Sequence, residues 1–87
     1  MQGYIYMIQD DKGKIYIGST NDVSRRLTQH QNGHTQTTSR MKDKKLVFFQ
    51  KFETLEDARK IEKKLKKLKR KDYIEKIIQD GFIKMKP

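Results

Sequence analysis

The chain has no cysteine. That absence excludes a disulfide scaffold, a thiolate metal site and a cysteine nucleophile. No apolar run approaches the roughly 20 residues of a membrane span, and no signal-peptide pattern opens the chain. The expectation is an intracellular, cytoplasmic protein that does not associate with membranes. Hydrophobic residues are scarce, at 33% against 37% charged. They still fall in short patterned runs, which argues against full disorder. With 87 residues there is no room for a second core, so residues 1–87 read as one domain of modest stability. Also missing are a phosphate-cradling glycine motif, a Ser/His/Asp set, and the paired carboxylates of a two-metal centre.

What the chain does have is positive charge. Lys plus Arg number 21 and Asp plus Glu 11, for a net charge of +10. Such a surplus points to a polyanionic partner, most often nucleic acid. The charge is uneven: residues 59–76 hold ten basic residues against Glu62, Asp72 and Glu75. A solvated helix face is the plain alternative for a lysine run of this kind.

Gly3–Gln9 (GYIYMIQ) and Lys14–Ser19 (KIYIGS) are rich in aromatic and β-branched residues. They flank the turn sequence Asp10-Asp11-Lys12-Gly13 and read as a β-hairpin. Period two places Tyr4, Tyr6 and Ile8 on one face of the first strand and Ile5 and Met7 on the other. On the second strand Tyr16 and Gly18 share a face. A helix follows, with Thr20 or Asn21 as its cap, Asp22 in its first turn and Asn32-Gly33 as its end. His34–Lys45 lacks a period and reads as a loop, and Leu46–Phe52 as a third strand. Thr54, with Asp57 three residues on, caps a long helix running to about Arg70. A last helix runs from Asp72 through Asp80 and closes at Gly81. The order ββαβαα predicts an α+β fold with a small three-stranded antiparallel sheet flanked by helices.

Helical arithmetic, at about 100° per residue, gathers Leu55, Ala58, Ile61, Leu65 and Leu68 into an apolar arc. Glu62 falls inside that arc, where a carboxylate is costly unless paired, hydrogen-bonded or bound to a cation. Its plain alternative is a rim glutamate paired with a nearby lysine. Lys69 also falls in the arc, at the helix end, where it can snorkel out. On the first helix Arg26 and His30 are i,i+4 neighbours at the edge of the packed face, which also suits an ordinary amphipathic edge. Cross-strand packing accounts equally for Tyr6 and Tyr16. Together, however, two tyrosines, an arginine, a histidine and one inward carboxylate suit phosphodiester hydrolysis. The arginine would bind the scissile phosphate and stabilise its added charge. One glutamate suffices for Mg²⁺, which keeps several waters and phosphate oxygens among its ligands. A tyrosine beside a cation could have its pKa lowered from about 10 and deprotonate water.

These residues resemble the GIY-YIG nuclease family over nearly the whole chain, from Tyr4 to about Glu75. Gly3-Tyr4-Ile5-Tyr6 is similar to the first signature and Tyr16-Ile17-Gly18 matches the second. Ser19-Thr20-Asn21-Asp22, Arg25-Arg26-Leu27, His30, Leu46-Val47-Phe48-Phe49 and Glu56-Asp57-Ala58 follow in order, leading to Glu62 and Lys66. Gln50 stands where many small relatives carry a glutamate. The resemblance implies a small stand-alone nuclease domain with one divalent metal, Mg²⁺ or Mn²⁺, held by Glu62. It implies Tyr6 and Tyr16 at the active centre with one of them as general base, Arg26 on the phosphate, and His30 as an acid/base or positioning group. It implies that Gly18 lets backbone and substrate come close.

The leading expectation is therefore a divalent-metal-dependent endonuclease acting on nucleic acid, DNA first, with no obligate protein partner. Arg25, Lys63, Lys64, Lys66 and Lys67 join Gly18 as expected substrate contacts, the lysines through counterion release. The alternatives are a non-catalytic basic nucleic-acid-binding module with the same fold and a basic structural protein of a nucleoprotein particle.

Overall fold

The computed structural model describes residues 2–32 and 41–85. Its elements are β1 (Gly3–Gln9), β2 (Ile15–Thr20), α1 (Val23–Gln31), β3 (Lys45–Phe52), α2 (Leu55–Leu68) and α3 (Lys71–Asp80). The strands form one antiparallel sheet in the order β2-β1-β3. This is the ββαβαα arrangement that the sequence predicts. Gly33, offered as part of the first helix's end, and most of the expected loop lie outside the described residues.

β1 is central because it is apolar on both faces. Tyr6 and Ile8 pack with Met41 on one face, with Tyr16, Val23, Leu27 and Leu46 around them. Ile5 and Met7 pack on the other with Ile17, Phe48, Ala58, Ile61, Leu65, Ile74 and Ile77. The period-two faces thus hold, and each is covered by helix: α1 on the first, α2 and α3 on the second. Burying a side chain such as Ile61 or Leu65 contributes about 1.5–3 kcal/mol. Between Met7 and Ile8 the β1–β3 register slips, so Ile8 faces Leu46 and Val47 is the extra residue.

Gly3 is required by contact: a Cβ there would lie 2.5 Å from the Leu55 Cα. The start of β1 thereby seats directly on the first turn of α2. Thr54 caps α2, its hydroxyl accepting from the Asp57 N–H at 3.1 Å, a cap of about 1 kcal/mol.

Several local expectations are corrected. Asp22, not Thr20 or Asn21, caps α1, its carboxylate accepting from the Arg25 N–H at 3.0 Å. The Thr20 hydroxyl instead accepts from the Asp22 N–H at 3.1 Å, turning the chain out of β2 so that Asp22 reaches the cap position. α2 ends at Leu68 rather than near Arg70, because Lys69 adopts the left-handed conformation (φ 52°) and breaks the helix. Leu68, expected in the apolar arc, is exposed at the end of α2. α3 begins at Lys71, one residue earlier than expected, and Gly81 closes it at φ 84° as the sequence predicts. Among the described residues no helix is long and apolar enough to cross a membrane.

Candidate active site

The antiparallel register places Tyr6 opposite Gly18 and Ile8 opposite Tyr16. A Cβ at Gly18 would lie 2.4 Å from the Tyr6 hydroxyl oxygen and 2.5 Å from Cζ. Gly18 therefore makes room for the Tyr6 ring, which lies over it. The close approach that Gly18 permits here is by a phenol of the same chain.

The Tyr6 ring is 2% exposed, and its hydroxyl is 2.9 Å from His30 Nε2. His30 is fully buried, not at a helix edge, because α1 packs this face onto Tyr6 and Tyr16. The ring centroids of Tyr6, Tyr16 and His30 lie 5.2–6.3 Å apart, all tilted, the spacing of favourable aromatic pairs. Arg26 Nε donates to the Tyr6 oxygen at 3.3 Å, and Arg26 Nη1 donates to Gln29 Oε1 at 2.9 Å. The Lys44 ammonium donates to the His30 carbonyl.

Burial controls the proton positions in this cluster. It pushes the Tyr6 phenol up to about 12, outweighing the Arg26 hydrogen bond that would lower it. The expected activation of a tyrosine by a nearby cation is thus reversed at Tyr6. Burial, aided by the charges of Arg26 and Lys44, brings His30 down to about 4. The Tyr6 hydrogen bond raises Arg26 further. At neutral pH the imidazole is uncharged, Arg26 is charged and Tyr6 keeps its proton. The Tyr6 hydroxyl and the neutral His30 Nε2 share one hydrogen bond, whose direction is set by the imidazole tautomer.

The second part of the site lies on the outer edge of β2. The Ser19 hydroxyl donates to Glu62 Oε1, and Lys66 Nζ lies 2.7 Å from Glu62 Oε2. The Glu62 side chain is 21% exposed, so it sits at the rim of the apolar arc with a lysine partner, as the plain reading had it. Lys66 Nζ also lies 5.4 Å from the centre of the Tyr16 ring. Lys66, expected as a substrate contact, thus bridges the Glu62 carboxylate and the tyrosine cluster.

Among the described residues no group of three or more His, Asp or Glu side chains could hold a metal. Glu62 is the one carboxylate offered to a cation by this site, and the donor set fits a hard divalent ion that takes few protein oxygens. The Lys66 ammonium already holds positive charge against Oε2. It is half-exposed on a flexible stem and can swing aside.

The structure therefore gathers Tyr6, Tyr16, Arg26 and His30, and connects them through Lys66 to Glu62. Arg25 stays outside this cluster, exposed, with Nη2 on Asn21 Oδ1 at 2.9 Å. Lys63, Lys64 and Lys67 lie exposed on α2, away from its buried Ala58, Ile61 and Leu65. Sequence reasoning missed Ser19, Gln29 and Lys44. Ser19 directly follows the second signature, which was its one available signal.

A family model described as the GIY-YIG catalytic domain matches residues 2–77. The chain is 39% identical over 80 residues to a UPF0213 protein of Pectobacterium carotovorum subsp. carotovorum, covering 91% of this chain and 80% of that one. It is 36% identical over 70 residues to a UPF0213 protein of Listeria welshimeri, covering 79% and 78%. In three dimensions it is similar to the solution NMR structure of a UPF0213 protein from Bacillus halodurans. The TM-score is 0.59 at 29% identity, covering 93% of this chain and 87% of that one.

Proposed function

The chain belongs to the GIY-YIG nuclease family, and from that premise we propose that it is a divalent-metal-dependent endonuclease hydrolysing phosphodiester bonds of nucleic acid, DNA first. The observation that carries this reading is the meeting of two side-chain sets at one edge of the sheet. Arg26, Tyr6, Tyr16 and His30 come from the covered face, and Ser19, Glu62 and Lys66 from the β2 edge.

Glu62 would hold Mg²⁺ or Mn²⁺, which supplies Lewis-acid stabilisation of charge on the phosphate. Ser19 holds one carboxylate oxygen and so sets the carboxylate's orientation. Arg26, fixed by Tyr6 and Gln29, offers a guanidinium in one orientation to the scissile phosphate and its added charge. Tyr6 keeps its proton and, through the bond to His30, holds this side of the site rigid. Tyr16 is half-buried and therefore reachable, and it lies beside the Lys66 cation. In this reading Tyr16 takes a proton from the attacking water. Lys63, Lys64 and Lys67 add to the positive field that draws the strand in.

A second reading is favoured by the Glu62–Lys66 ion pair, which a non-catalytic binding module would also show. Cleavage of plasmid and oligonucleotide substrates with Mg²⁺, Mn²⁺ or EDTA separates the two. Glu62→Ala should abolish metal-dependent cleavage and change stability by at most about 1 kcal/mol, since the pair it loses is partly exposed. Undiminished cleavage by that variant would remove Glu62 from the metal site.

A further inference from the structure

A concentration of cations lies just behind the site. A cleft of about 420 Å³ opens between the β1–β2 turn and the elbow where α2 meets α3. Its charged lining is Lys12, Lys14, Lys66, Lys69, Arg70 and Lys71. Ile15, Ile17, Leu65 and Ile74 form its floor, and all but Ile15 are almost fully buried. Among the described residues no acidic side chain lines it.

The backbone builds this arrangement. Asp10 Oδ1 accepts from the N–H groups of Lys12 and Lys14, at 3.0 and 2.7 Å, which curls the turn and projects both lysines. Across the mouth, Lys71 Nζ comes within 3.9 Å of where a Cβ on Gly13 would stand. The left-handed Lys69 makes the elbow and brings Lys69, Arg70 and Lys71 to the rim. Two of the six charges are partly met: Arg70 Nη2 lies 2.8 Å from Asp72 Oδ2, and Lys66 Nζ lies 2.7 Å from Glu62 Oε2. The others line the same cleft and are exposed to solvent. Like charges gathered along one cleft repel, and a polyanion relieves the repulsion.

Lys66 belongs both to this cleft and to the Glu62 pair. The cleft is thus continuous with the candidate metal carboxylate along the open edge of β2. We propose that the cleft is the seat of the nucleic-acid backbone flanking the scissile phosphate, with Lys12, Lys14 and Lys71 in direct contact with phosphates. The lysines on the outer face of α2 then act at longer range, raising the rate of encounter more than the number of contacts. This assignment rests on the nucleic-acid reading above, but not on catalysis, because binding can be measured without metal.

The test compares two triple variants, Lys12→Gln/Lys14→Gln/Lys71→Gln and Lys63→Gln/Lys64→Gln/Lys67→Gln. Affinity for a labelled oligodeoxynucleotide is followed against salt concentration in EDTA, with melting curves as the folding control. At about 0.7–0.9 per phosphate contact, the cleft variant should lower the slope of log affinity on log salt by about 2 to 3. The outer variant should lower it by less than about 1 and mainly slow association. Acylation footprinting of the wild-type protein, which needs no variant, should show Lys12, Lys14 and Lys71 protected by the oligonucleotide. Equal losses from both triples, or an unchanged slope in the cleft variant, would overturn the assignment, as would acylation of the three lysines at undiminished rates. Wild-type cleavage with Mg²⁺ is measured in parallel. Its absence would count against the nuclease reading while leaving the cleft assignment to stand or fall on binding.

Discussion

His30 makes the fold acid-sensitive in a defined window. Its imidazole is fully buried against Tyr6 and Tyr16, with Arg26 and Lys44 as its charged neighbours. Burial first, then those two charges, brings its pKa from 6.5 down to about 4. The sign follows directly. Between pH 6.5 and 4 the unfolded chain binds a proton that the folded chain refuses, so stability falls as pH falls through that window. It is unaffected by this group above 6.5, and it loses little more from it below 4. The pKa falls from 6.5 to about 4, and at about 1.36 kcal/mol per unit the full loss is about 3–4 kcal/mol, most of it reached by pH 4. A chain of 87 residues at roughly 0.05–0.15 kcal/mol per residue has only about 4–13 kcal/mol in hand. The assay is urea unfolding at several pH values for the wild type and His30→Gln, whose amide can still bond the Tyr6 hydroxyl but does not titrate. Every other ionisable group is common to both proteins and cancels in the difference. The wild type's advantage over the variant should shrink by about 3 kcal/mol from pH 7 to pH 4. Parallel stability curves would refute the reasoning and show that the imidazole is charged, or solvated, in the fold.

Gly18→Ala should destabilise the protein by about 1–3 kcal/mol, because its methyl would lie 2.4 Å from the Tyr6 hydroxyl in a packed site. A Tm within a degree of wild type would show that the Tyr6 ring moves freely. Arg26→Ala should lower single-turnover cleavage by about two to three orders of magnitude while changing oligonucleotide affinity far less. A loss confined to affinity would make Arg26 a positioning contact. Tyr16→Phe should cut the rate by about a hundredfold or more. Tyr6→Phe should cost about 1 kcal/mol of stability through the lost His30 and Arg26 bonds, with the smaller effect on rate. Rate constants and melting curves from the same preparations check both, and the reverse ranking of rates would move the general base to Tyr6.

Much of the site was legible because its signals are local or ordered along the chain. The hairpin follows from two β-rich runs around a glycine turn, and the α2 cap from Thr54 with Asp57. The arc of Ala58, Ile61 and Leu65 is a property of one helix, and all three residues are buried. Choices among equivalent neighbours were not legible. Thr20, Asn21 and Asp22 can each cap a helix, and the path of the chain out of β2 selected Asp22. Nothing local marks Lys69 for the left-handed conformation that ends α2.

By itself, then, the sequence determined the strand and helix order, the two apolar faces of the first strand, the excess of cations and the set of residues that resembles a nuclease site. These depend on spacing and composition, which short-range geometry translates directly. The tertiary structure decided what those residues touch. It buried His30 and thereby made it neutral, placed Tyr6 over Gly18, and brought Ser19 to Glu62 across 43 positions of chain. It also set the β1–β2 turn beside the α2–α3 elbow, which makes a cationic cleft out of lysines far apart in sequence. Burial and the positions of neighbouring charges depend on how elements pack, so proton affinities and ligand paths do not exist until the chain has folded.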